Sequence, residues 1–419
     1  MVIKGFRFIA VLLLSVPAIY HSAAQNGINT PYSQYGIGVL SEQSTGIAKA
    51  MGGIGAGFRV SNTLNMKNPA SYSMVDTLTF IADLGFSLQN GNFKENSVRV
   101  NAQNASIDHM AMQFRILPKV GMTVAFTPFS NVGYSFSREE TTIVDEDGEI
   151  TATNTYTGQG GIRQFMAGLG WRPTEYLSVG VNASYLSGDL TRTVSNTYSS
   201  SVIQSRVKTK TAEMSGFKLD WGIQGTININ KNPLVLGATY SPAFKPDCDA
   251  MVTDAHSVTD TTTIKGAFSF PDQFSAGFTY QWKNRYRIGA DVAYQKWSDA
   301  LFFGNKEGSD RVRVAAGFMI LPREMNRGMF KRASYQVGAN MSQPYFVLEN
   351  GSKGPMEFGV SAGISLPITT AYYSMSYLHV SGEFVRMQPS GKGMITENYF
   401  RINLGVTFME RWFMKLMVD

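Results

Sequence analysis

Three sets of residues in this chain have types and spacings that invite a chemical reading. His379, Ser381 and Glu383 put a base, a hydroxyl and an acid at two-residue intervals. A base that activates a hydroxyl must lie within hydrogen-bond reach of it. Residues two apart on a strand share a face but stand about 7 Å apart along it, so direct nucleophile–base contact is excluded and packing explains them better. Gly53-Ile-Gly-Ala-Gly57 has the glycine spacing of a phosphate cradle. That chemistry needs a strand before the glycines, a helix after them and an acidic residue further on, and none of this surrounds it. His109, His256, His379 and the single Cys248 lack metal-ligand spacing. No catalytic residue, metal site or cofactor is expected, and the chain does not read as an enzyme.

The elements that position these residues repeat. From Thr79 onward, stretches of alternating polar and apolar residues recur. In the stretch 217–229, Phe217, Leu219, Trp221, Ile223, Ile227 and Ile229 fall on one face. Lys218, Asp220, Gln224, Thr226 and Asn228 fall on the other. The pattern predicts strands over 79–88, 108–116, 119–138, 161–171, 177–186, 216–229, 234–241, 272–282, 286–297, 311–320, 333–342, 356–366, 374–385 and 398–408. Links between them alternate short and long. Long loops are expected over 89–107, 139–160, 187–215, 242–271, 298–310, 343–355 and 386–397. An even set of about fourteen strands, joined in this way, predicts an all-β transmembrane antiparallel barrel. Trp171, Tyr176, Trp282 and Tyr286 fall beside the short turns, as in an interfacial aromatic girdle.

Composition agrees. Hydrophobic residues make up 43% of the 419, yet mean hydropathy is only -0.10, because lumen-facing residues dilute the average. Lys4 and Arg7, the apolar run 8–16 and Ser22-Ala23-Ala24 read as a signal peptide over 1–24. A single cysteine excludes an internal disulfide, and Cys248, inside a long link, is expected to be open to an impermeant thiol reagent. The formal charge of +6 is modest, and no basic run interleaved with aromatics marks a nucleic-acid surface. Residues 25–78 lack the alternation and are rich in glycine, with one short helix expected near 45–51. They read as an N-terminal plug, followed by the barrel over 79–409 and a periplasmic tail over 410–419. Pro128 to Gly133 interrupts the long 119–138 strand, where proline withholds a ladder donor.

Gly46-Ile-Ala-Lys-Ala-Met-Gly52-Gly53, followed by Asn68-Pro69-Ala70, resembles the N-terminal hatch of the FadL-type outer-membrane transport proteins. The resemblance covers nearly the whole mature chain. It implies a fourteen-stranded barrel with a hatch and a kinked third strand, here Pro128, Phe129, Ser130, Asn131 and Gly133. It also implies passive uptake of small hydrophobic molecules of the long-chain fatty acid type, which leave through a lateral gap at the kink. Both termini are then periplasmic and outer-membrane lipid surrounds the wall. Some relatives serve instead as docking or shuttle subunits of larger outer-membrane machines, so outer-membrane protein partners are the alternative. The inferred lumen residues Arg115, Lys218, Asp220, Arg287, Asp291, Arg311, Arg313, Glu383 and Arg401 are charged, whereas an apolar ligand needs a mostly apolar pocket. Ion pairs between wall and hatch are the expected role of Arg287, Asp291, Arg311, Arg313 and Arg401. A site for an anionic head group at Arg311, Arg313 or Arg401 is the other reading.

Overall fold

With no water in a bilayer core, every backbone N–H and C=O must be paired internally, which a strand array achieves only by closing on itself. The computed structural model describes residues 27–411 apart from 62, 96, 146–147, 201–202, 257, 323–328, 349–350, 372–373, 390 and 392–393. The expected signal peptide and residues 412–419 of the expected tail lie outside the described residues. The strands are β1 (Val39–Leu40), β2 (Thr79–Glu95), β3 (Val98–Leu117), β4 (Val120–Asp145), β5 (Gly148–Trp171), β6 (Leu177–Tyr198), β7 (Arg206–Ile229) and β8 (Asn232–Ser241). They continue with β9 (Asp247–Ala255), β10 (Thr259–Lys265), β11 (Gln273–Trp282), β12 (Tyr286–Gln295), β13 (Arg311–Ile320), β14 (Ser334–Ser342), β15 (Met356–Ala371), β16 (Ser374–Gln388) and β17 (Thr396–Arg411).

Fourteen of these, β2–β8 and β11–β17, form the barrel. Neighbours pair antiparallel, β8 pairs with β11, and β17 returns to β2 along the full run from Thr396↔Lys94 to Arg411↔Thr79. The strand number is the one the alternation implies. Phe217, Trp221, Phe274 and Phe400 stand exposed on the outer face, where lipid replaces water. Lys218, Gln224, His379 and Glu383 are buried on the inner face. At one end the turns are tight. Asn230 and Lys231 join β7 to β8 with φ of 49° and 67°, the paired left-handed conformation of a two-residue hairpin turn. Trp282 and Tyr286, 5.3 Å apart and stacked, flank the next such turn.

At the opposite, tall end the structure corrects the loop assignments. The segments 89–107, 139–160 and 187–215 are not long loops. They are mostly strand, paired in continuous hairpins that carry β2–β3, β4–β5 and β6–β7 well past the rest of the rim. Alternation in them is polar on both sides, which hides a strand that has left the apolar layer. The link 242–271 likewise contains β9 and β10, and β9 pairs with the upper part of β7. Inside this end, Phe129, Tyr134, Phe268, Phe270, Trp297, Phe302, Tyr345 and Phe346 pack into one buried cluster with Tyr32 and Ile37 of the N-terminal segment. Each such side chain, fully buried, contributes roughly 1.5–3 kcal/mol.

Cys248 belongs to that cluster and is only 3% exposed, against the accessibility its sequence position suggests. Its strand turns it inward beside Met214. Burial first, then Asp249 and Asp247, push its thiol up to about 11. Both effects suppress the reactive thiolate. A maleimide at neutral pH should therefore leave folded protein unlabelled and label it fully after denaturation, as read by intact mass. Rapid stoichiometric labelling of the folded barrel would contradict this placement.

Candidate functional site

Residues 27–78 fill the lumen, and their contacts define the site. The chain begins with a 3-10 turn, Pro31–Gln34, and passes through β1 to a short helix α1 (Gly46–Ala50). It ends with a second 3-10 turn, Pro69–Met74, capped by Asn68, whose side chain accepts from the Ala70 N–H. The same Asn68 donates to the Ala56 carbonyl at 2.7 Å. Pro69 and Ala70 are thus held against the wall, and Ala70 is fully buried.

What allows this approach is glycine on the wall. Gly121, Gly170, Gly180 and Gly222 are successive in-register partners across β4, β5, β6 and β7. A Cβ on any of them would strike the backbone or side chain of Asn68, Pro69 or Tyr72. Gly289, Gly317 and Gly338 repeat the arrangement across β12, β13 and β14, against Ile54, Met51 and Gly52. The hatch backbone therefore lies directly on the wall at Gly121, Gly170, Gly180, Gly317 and Gly338.

Charged groups complete the attachment. Gly52 and Gly53 adopt φ of 72° and 76°, a turn open to glycine, and so aim their carbonyls outward. Arg313 Nη2 donates to the Gly52 carbonyl at 2.8 Å and pairs with Glu42 at 2.6 Å. Lys67 donates to the Gly53 carbonyl at 2.5 Å and pairs with the same Glu42 at 3.2 Å. Asp291 accepts from the Gly55 and Ala56 amides. Lys49 of α1 pairs with Asp108 of β3 at 2.5 Å. Burial alone would raise the Glu42 carboxyl. Arg313, then Lys67 and Lys49, outweigh it and hold it at about 2. Lys67 is lowered to about 8 by burial, against the pull of Glu42.

The other inferred lumen residues divide. Arg401 pairs with Glu383 across β16 and β17 at 3.5 Å, and Lys218 pairs with Asp220. Arg287 donates to Gln281 and makes no ion pair among the described residues. Arg311 reaches the neutral oxygens of Gln295 and Ser342, at 3.5 and 3.2 Å. Arg115 is not a lumen group. It lies by the short turns and donates to Thr77 at the hatch exit. His379 sits between Ser365 at 2.7 Å and Thr407 at 2.9 Å, while Ser381 accepts from Asn403. Thr407 donates on to Asp83, which also meets His109. This polar chain crosses the β2–β17 seam, and no spacing within one strand could have revealed it. A cavity of about 230 Å³ lies between the hatch and the aromatic cluster. Glu42, Lys67, Asp220, Asp291, Arg311, Arg313 and Arg401 line it, with Phe129 and Trp297 on its tall side.

Among the described residues the wall is interrupted between β3 and β4. β3 and β4 pair only from Leu117↔Val120 to Met110↔Phe126. Pro128 follows, and a bulge at Phe129 shifts the β4–β5 register without breaking it. Above this point β3 and β4 part, and the N-terminal segment stands between them. β1 pairs with Ser130 and Asn131. The Ser41 amide donates to the Phe129 carbonyl at 3.0 Å and the Thr30 amide to the Gly133 carbonyl at 2.9 Å. On the far side Asn29 reaches Asn104 of β3 at 3.2 Å. Thr30 also binds Glu397 of β17.

Comparison with known proteins places this architecture. A family model described as BamG matches residues 2–419, and no curated protein sequence matches. Among solved structures, a Pseudomonas aeruginosa FadL homologue is similar at 9% identity and TM-score 0.60, covering 88% of this chain and 98% of that one. The P. putida toluene transporter TodX is similar at 13% identity and TM-score 0.60, over 89% and 100%. The CymD monoaromatic hydrocarbon channel follows at 13% identity and TM-score 0.57, over 89% and 99%. At these identities the likeness is one of fold, the FadL-like fourteen-stranded barrel of the outer membrane.

Two outcomes follow from the attachment. Glu42 has a folded pKa near 2 against an ordinary 4.5. Its contribution is thus complete above about pH 4.5 and is lost as pH falls through 2. Hydrogen exchange of the hatch over 42–56 should rise across that window in wild type. Glu42→Gln should show the fast exchange already at neutral pH and be destabilised by about 3 kcal/mol, since Arg313 is left unpaired. Pulse proteolysis reads that loss, and an unchanged midpoint would refute it. Gly180→Ala should free the 68–74 turn to protease while leaving the barrel's heat-modifiable migration intact.

Proposed function

This chain belongs to the BamG family, and we propose that it is a closed-lumen barrel subunit of a larger outer-membrane assembly, without enzymatic activity. The observation that carries this reading is the occupied wall interruption. The lateral opening that an apolar solute would need is filled by the chain's own residues 29–41, hydrogen-bonded to β3, β4 and β17. The rest of the lumen supports it. Its cavity is lined by charges, which suits neither passage nor storage of a hydrocarbon. The hatch lies backbone to backbone on the wall, so its displacement would break many contacts together. We place the short-turn end and both termini in the periplasm and the tall hairpins outside, the arrangement usual for such barrels. Arg313, Asp291 and Arg401 then serve structure, not ligand.

One observation favours a second reading. The break between β3 and β4 above Phe126 is a ready exit into lipid once residues 29–41 are withdrawn. Structurally similar proteins include a toluene transporter and a monoaromatic hydrocarbon channel. On that reading the chain is a hydrophobic uptake channel with a movable hatch.

Mild-detergent extraction of native membranes, followed by cross-linking mass spectrometry, separates the two. The subunit reading expects a stoichiometric protein complex and no effect on hydrocarbon or fatty-acid uptake when Ser41 and Asn131 are joined by paired cysteines. A solitary barrel carrying bound lipid, with uptake abolished by that bridge, would replace it with the channel reading.

A further inference from the structure

β7 has two neighbours in succession on one side. Trp221–Ile229 pairs with β8 inside the barrel, whereas Val207–Ser215 pairs with β9. A six-stranded sheet, β4–β5–β6–β7–β9–β10, therefore rises off the tall end, and β10 is its last strand. Thr259–Lys265 pairs with β9 over seven residues without a register shift. Among the described residues its residue-by-residue pairing is with β9 alone, and all but Ile264 are exposed. Such an edge offers a row of unmet N–H and C=O groups, which proteins usually blunt with charges, proline, a bulge, very short length or a cover. Among the described residues β10 has no proline, bulge or cover, and its charges are confined to Asp260 and Lys265 near its two ends.

The sheet continues in pattern up to that edge. Thr157, Thr193, Thr209, Thr253 and Thr261 stand side by side in register on β5, β6, β7, β9 and β10. The Thr193 and Thr209 hydroxyls are 3.2 Å apart. Branched side chains of this kind suit a pleated surface, and a further strand would extend the row. On the opposite face Asp260 lies directly across from Asp254. Like charges so placed repel. Arg206 grips Asp254 with two donors, and among the described residues no cation pairs with Asp260.

We infer that β10 is a docking edge: it takes an extended segment of a second outer-membrane protein as an added strand, with a lysine or arginine of that segment beside Asp260. Main-chain hydrogen bonds supply the affinity of such an addition and alternate side chains its specificity. A second copy of this chain fits poorly. Two barrels in one bilayer are related by an axis along the membrane normal, so their β10 strands would run the same way. They would pair in the less stable parallel sense.

This inference rests on the subunit reading, and one experiment separates their fates. Hydrogen exchange is followed for the β10 peptide in native outer-membrane vesicles and in the purified barrel. A photo-reactive residue replaces Thr263 in the full-length protein in parallel. The vesicles should show at least roughly tenfold slower exchange at β10, and the cross-link should map to a single segment of one partner. Asp260→Lys should lower the cross-link yield severalfold with the barrel still heat-modifiable. Equal exchange in both samples overturns the inference, as does protection that the pure protein reproduces by self-association. A stable complex with an unprotected β10 sinks the edge alone, and the absence of any complex sinks both.

Discussion

The structure depends on two backbones meeting with no side chain between them. Gly121, Gly170, Gly180 and Gly222 strip one level of the wall bare, and the Asn68–Tyr72 turn lies on it. Gly317 and Gly338 do the same for Met51 and Gly52. Glycine in a strand weakens it. A run of glycines in register is thus a cost to the sheet, offset only because the hatch fills the space. Everything else in the lumen follows from that seating. The Gly52 and Gly53 carbonyls reach Arg313 and Lys67, Asp291 reaches the amides of Gly55 and Ala56, and Glu42 joins the two cations.

The interruption between β3 and β4 shows the opposite economy. Proline at position 128 and the bulge at Phe129 release β4 from β3, and the unmet edge is then satisfied from inside by β1. One segment meets both sides of the opening, through Asn104 and Gly133. The same residues that would make a gate also make the plug that closes it.

Much of this was legible in the residues. Alternation with an apolar outer face gave fourteen strands, because lipid imposes one chemistry on every outward position. The resemblance of Gly52-Gly53 and Asn68-Pro69-Ala70 to a hatch pointed to residues that the structure seats against the inner wall. The tall hairpins were missed, because beyond the lipid neither face of β6 or β7 needs to be apolar. Cys248 was misplaced for the same reason: once β9 is a strand, parity sends its thiol inward. The partners of Arg313 and the seating of Pro69 depend on which distant residues share a level of the barrel. Register sets that level, and no spacing within a strand encodes it.

The seam has a consequence for how the molecule comes to exist. Closure joins Thr79 to Arg411 and Lys94 to Thr396, so the ring cannot shut until almost the whole barrel has been delivered. α1 nevertheless packs on β14, β15, β16 and β17, and residues 68–74 pack on β4 to β7. The hatch thus touches strands from both halves of the ring. It is the first segment of the described chain and the only one that can gather early and late strands around a common axis. The hatch thus ties early strands to late ones: loosening it would loosen the wall on both sides of the seam together.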